Sequence, residues 1–158
     1  MKYIYFIILI FLSSLSYSNS VQCEFEEVYQ DSSLQSGYLL FSDGLLRYQY
    51  NDKQLFTIIY NKDYYFIRND DNSVVNKLKD DEVLNELKYI INDYPKIKNS
   101  YTKDDIKISI QKSQEINFIK RISINSPKAN LSIYFLNCKF DSISKNYFQP
   151  YALKEIRK

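Results

Sequence analysis

The hydrophobic pattern opens with a block. Tyr3 to Leu12 is an unbroken run of aliphatic and aromatic residues, with Lys2 before it and the small, polar Ser13 to Ser20 after it, closing on Ser18-Asn19-Ser20. A charge, a short apolar core and small residues, in that order, mark a secretory signal peptide. The run is shorter than the ~20 residues that a membrane-crossing helix needs. Residues 1–20 are therefore expected to be removed on export, leaving a chain that begins at Val21.

From Val21 to Val75 the pattern reads as strands. Asp43-Gly44 separates Gly37-Tyr-Leu-Leu-Phe-Ser42 from Leu45-Leu-Arg-Tyr-Gln-Tyr50. Asp-Gly between two apolar runs predicts a tight hairpin, because both turn positions take positive φ. A turn fixed there also fixes the register. Phe41 should face Leu46, Leu39 should face Tyr48, and Gly37 should face Tyr50, with Leu40 opposite Arg47 and Tyr38 opposite Gln49. Leu39, Phe41, Leu46, Tyr48 and Tyr50 then share the inward face, and Arg47 and Gln49 point outward. A second hairpin is expected from Gln54–Tyr60 and Tyr64–Arg68, joined by Asn61-Lys62-Asp63.

The period then changes. Val83, Leu84, Leu87, Ile90, Ile91 and Tyr94 recur at helical spacing. Asp80 or Asp81 can cap the segment and Pro95 ends it, so a helix is predicted over Asp81–Asp93. Alternation returns over Ile106–Ile110, Ile116–Ile124 and Asn130–Phe135, with a last short strand at Leu153–Ile156. The expected fold class is α+β: an antiparallel sheet interrupted by one helix, forming a single domain over residues 21–158.

Composition removes more functions than it suggests. The chain has 21 Lys and Arg against 19 Asp and Glu, which leaves no electrostatic footprint for nucleic acid. It has no histidine, so the usual general base, the Ser-His and Cys-His pairs and the commonest metal ligand are missing. The two glycines, Gly37 and Gly44, cannot build a phosphate-binding loop. No metal-ligand spacing occurs. Asp70-Asp71 and Asp80-Asp81-Glu82 read as solvated turns. Catalysis, metals and cofactors are not expected, and a binding or carrier role remains.

Cys23 and Cys138 make an even count near the two ends of the expected mature chain. In an exported protein that favours a disulfide, worth about 4–5 kcal/mol in the chain-entropy model. Two buried thiols are the alternative. A third reading makes Cys23 the acylated first residue of a lipoprotein, but Gln22 stands where such a site needs a small residue.

The order of these elements, with Gly37-Tyr38-Leu39-Leu40-Phe41, Leu46-Arg47-Tyr48-Gln49-Tyr50, Ile58 to Phe66 and Tyr147-Phe148-Gln149-Pro150, resembles the periplasmic lipoprotein carrier (LolA-like) family. The resemblance spans most of the chain after residue 20. Two features depart from it: Asp43-Gly44 replaces the family's Arg-Pro turn, and Val21–Glu24 leaves no room for its first helix. The resemblance implies a strongly curved antiparallel sheet, an unclosed β-barrel, with the main helix covering a concave face that holds lipoprotein acyl chains. The ligand-binding residues would be Leu39, Phe41, Leu46, Tyr48 and Tyr50 of the hairpin and Leu84, Leu87 and Ile91 of the helix. It further implies a periplasmic monomer that meets an inner-membrane lipoprotein-release transporter and an outer-membrane receptor. Two alternatives stay open: a secreted structural or protein-interaction β domain with a closed core, and the lipid-anchored receptor of the same pathway.

Overall fold

The computed structural model describes residues 20–127 and 129–150. The expected signal segment, the strand at Leu153–Ile156 and Lys128 of the turn after Ser126 lie outside the described residues.

The hairpin fixed by Asp43-Gly44 sets the geometry of the first half. Strands β2 (Leu34–Ser42) and β3 (Leu45–Tyr50) pair in the expected register, Gly37 with Tyr50, Leu39 with Tyr48 and Phe41 with Leu46. Asp43 has φ +50° and Gly44 +79°, as a two-residue turn of this hand requires. β1 (Val21–Tyr29) precedes this hairpin, and β4 (Phe56–Asn61), β5 (Asp63–Arg68) and β6 (Val74–Leu78) follow it as a meander. The second hairpin turns at Lys62, which takes positive φ.

Helix α1 (Glu82–Asn92) lies within one residue of its expected bounds at each end. Asp81 is the N-cap, its Oδ1 accepting from the Leu84 backbone N–H at 3.0 Å. Strands β7 (Ser100–Lys103), β8 (Ile106–Ser113), β9 (Phe118–Asn125) and β10 (Asn130–Lys139) complete the sheet. β9 starts two residues later than Ile116, because Asn117 takes positive φ and turns the chain.

The result is one curved, antiparallel, ten-stranded sheet in the order β6-β5-β4-β3-β2-β1-β10-β9-β8-β7. β1 sits in the middle. The two meanders run outward from it, so β6 and β7 form the edges and the sheet does not close into a barrel. α1 joins the two edge strands in sequence, and its buried Leu87, Ile90 and Ile91 enter the same apolar cluster as residues of both meanders. We call the sheet face that carries this cluster the inner face.

Where β1 meets β10 the register slips. Gln22 pairs with Lys139 and Glu24 with Leu136, so Asn137 and Cys138 lie opposite Cys23 alone. Asn137 takes φ +50° to make this bulge, and its amide donates to Glu24 at 2.8 Å. The bulge brings Cys138 to a Cα–Cα distance of 4.1 Å from Cys23, and the two form a disulfide.

The outer face differs from the sequence expectation in one respect. Arg47 and Gln49 do point away from the main cluster, but Arg47 is only 1% exposed and Gln49 is also buried. A 3₁₀ turn at Lys145–Phe148 packs on this side against β3 and β4. Phe148 is fully buried there, and the Tyr147 carbonyl accepts from the Arg47 guanidinium at 2.9 Å. Alternation reports facing, and a remote segment decides exposure.

Candidate functional site

Alternation along β1 puts Val21, Cys23, Phe25, Glu27 and Tyr29 on the inner face. Four are apolar or aromatic, and one is a carboxylate. Register then builds around it. Phe25 lies opposite Gly37 of β2, and Gly37 lies opposite Tyr50 of β3. The missing side chain at Gly37 lets the Phe25 ring cross β2. A Cβ there would come within 2.6 Å of that ring and 2.0 Å of the Gln49 carbonyl oxygen. Phe25 stacks on Tyr48 with centroids 3.9 Å apart, and Tyr50 meets both rings edge-on at 5.5 Å.

Tyr48 and Tyr50 of this set, with Tyr29 of β1, aim three hydroxyls at Glu27. Tyr48 donates to Oε1 at 2.7 Å, while Tyr29 and Tyr50 donate to Oε2 at 2.6 and 3.0 Å. Glu27 is 4% exposed. Among the described residues no lysine or arginine forms an ion pair with it. A buried carboxylate is costly unless it is hydrogen-bonded, and here three O–H donors replace the lost water. Burial, followed by the hydrogen bond to Glu27, pushes the Tyr29 hydroxyl up to about 12. Tyr48 and Tyr50 are also raised well above the ordinary tyrosine value, by burial first and by the adjacent Glu27 second. All three stay protonated over the physiological range and keep donating.

Beside this cluster the inner face opens into a groove of about 330 Å³, lined by Tyr50, Leu55, Phe56, Ile58 and Phe66 on its apolar sides. Tyr29, Ser33 and Gln35 complete the lining. Ile58 belongs to the main apolar cluster, and Tyr50 and Phe66 pack against it, so groove and core are continuous. A larger depression of about 630 Å³ lies at β8 and β9, where Asn99, Ser109, Gln111, Lys112 and Arg121 make it polar.

The helix is tied to the same face by polar contacts on two sides. Tyr64 donates to Asn85 at 2.7 Å, and the Lys88 ammonium sits 3.3 Å from the centroid of Tyr60. Lys103 of β7 bonds Glu86 at 3.0 Å.

The sequence-predicted residues meet in one place. Leu39, Phe41, Leu46, Tyr48, Leu87 and Ile91 are buried members of the main cluster, and Tyr50 and Leu84 are half-buried against it. Of these eight, Tyr50 alone lines the groove. Sequence reasoning missed Glu27, Tyr29, Leu55, Phe56 and Phe66. The strict alternation from Val21 to Tyr29 could have placed Glu27 inside. The groove could not have been found that way, since it depends on how β1 to β5 curve together.

Fold and site together define a β-rich α+β domain, an open curved sheet with an apolar inner face and a groove beside a carboxylate–tyrosine cluster. Compared with known proteins, the chain matches no family model and no curated sequence.

Proposed function

We propose that this protein is an exported carrier that shelters an acyl chain on the inner face of its sheet, in the manner of LolA-like periplasmic carriers. The observation that carries this reading is the apolar groove, continuous with the core and set on a sheet that stays open between β6 and β7. Its volume lies near the lower end of the 300–1,000 Å³ typical of small-ligand sites, which suits one chain at a time. In this reading α1 covers the concave face, with Leu84, Leu87 and Ile91 toward the ligand space and Leu39, Phe41, Leu46, Tyr48 and Tyr50 beneath it. Lipoproteins supply the chain, and a releasing transporter and an outer-membrane receptor are the partners.

The disulfide supports export to an oxidising compartment and a carrier that is not lipid-anchored. The Cys23–Cys138 disulfide is of the kind that persists there. The disulfide also occupies the Cys23 sulfur that a lipid anchor would require, which favours the carrier over the anchored receptor. A second reading, a secreted β domain with a closed core, is favoured by the complete burial of Leu39, Phe41, Leu46 and Tyr48.

Phe66→Glu separates the two. Phe66 is half-buried beside the groove, so the new carboxylate keeps water and the fold should survive. A carrier would lose binding of a fluorescent fatty-acyl amide probe by at least about tenfold, since apolar burial is opposed by the charge. Tyr38→Glu, on the exposed outer side of β2, serves as the control and should bind as wild type does. Equal binding by Phe66→Glu and wild type would refute the groove as the ligand site.

A further inference from the structure

The polar end of the groove carries a chemical preference. Tyr29 and Tyr50 line it, and both spend their hydroxyl protons on Glu27. Neither hydroxyl has a proton left for a ligand, and what they can offer one is lone pairs. Ser33 is committed in the same way, its hydroxyl donating to Asp31 at 2.6 Å. Gln35 carries both donor and acceptor atoms and does not discriminate. Behind the tyrosines stands a carboxylate that no cation neutralises among the described residues. A ligand head placed at this end meets hydrogen-bond acceptors and the negative field of Glu27.

We propose that the groove selects single-chain amphiphiles whose head donates a hydrogen bond and bears no negative charge, such as an amide or a hydroxyl, and rejects free fatty acids. The inference rests on the acyl-carrier reading and narrows its ligand class. An amide N–H would give its proton to the Tyr29 or Tyr50 oxygen, so that both partners are satisfied in a partly desolvated site. A carboxylate head would face the committed hydroxyls of Tyr29, Tyr50 and Ser33 and the field of Glu27, with Gln35 the one lining side chain left to donate to it. An acylated peptide, which joins its chain through an amide, fits the first description.

The test compares two probes with the same fluorophore and chain, 11-(dansylamino)undecanoic acid and its primary amide, at about pH 8, where the acid is ionised. Wild-type protein should bind the amide at least about tenfold more tightly. Glu27→Gln should erase the preference. The glutamine amide brings its own donors, so one tyrosine hydroxyl can turn to the groove and greet the carboxylate. Tyr50→Phe, which removes one acceptor, should weaken the amide and leave the acid unchanged. If Glu27→Gln fails to fold, the wild-type comparison and Tyr50→Phe decide the matter. Equal or tighter binding of the acid by wild type would overturn the inference while leaving the groove as an acyl site. Binding of neither probe would refute the acyl-carrier reading itself and the inference with it.

Discussion

Glu27 carries a burden that its neighbours share out. Its two oxygens accept hydrogen bonds from three tyrosines, and two of these, Tyr48 and Tyr50, are held by ring contacts with Phe25, which lies over Gly37. Adding a methyl group at Gly37 forces the Gln49 carbonyl and the Phe25 ring apart. Gly37→Ala should destabilise by about 1–3 kcal/mol, read as a lower urea midpoint at unchanged slope. The tyrosines make a second expectation at high pH. Their folded pKa values are raised above the unfolded value of about 10, Tyr29 to about 12, with Tyr48 and Tyr50 also well above it. The native state then holds these protons more tightly than the unfolded chain does. The resulting stability is complete below pH about 10 and falls as pH rises toward and through about 12. Absorbance at the tyrosinate band should show the exposed tyrosines ionising first and this group only as the protein unfolds. Simple titration of every tyrosine near 10, with the fold intact, would contradict the cluster.

Among the elements, α1 and the β2–β3 hairpin were legible in the sequence because each is specified by contiguous chemistry. Asp43-Gly44 dictates a turn hand and thereby every pair from Gly37–Tyr50 to Phe41–Leu46. Asp81 and Pro95 bracket the helical period. Asp81→Ala should therefore cost about 1 kcal/mol through the lost cap, seen as a lower melting temperature. What the sequence hid was set by segments far apart in the chain. Arg47 alternates outward like a surface residue, yet the turn at Lys145–Phe148 lies over it. The short edge strand β7, Ser100–Lys103, has little apolar pattern of its own and exists by pairing with β8. Phe148→Ala should accordingly destabilise by about 3–5 kcal/mol although it lies outside the sheet, because it is fully buried against the outer face.

At the scale of the molecule, β1 and β10 join the two meanders, and the disulfide ties that seam across 115 residues. The sequence suggested the pair from an even count, but only the bulge at Asn137 shows how the second cysteine reaches the first. Replacing both with alanine should cost about 4–5 kcal/mol on the chain-entropy account. In the carrier reading, the groove on the inner face of this open sheet is where an acyl chain sits. Native mass spectrometry of the protein recovered after export tests that claim most directly. An acyl carrier should retain a neutral lipid or acylated peptide as a discrete adduct, at one copy per chain and lost in Phe66→Glu. A bare chain, still bare after incubation with an acylated peptide, would mean that the inner face is a closed core and carries nothing.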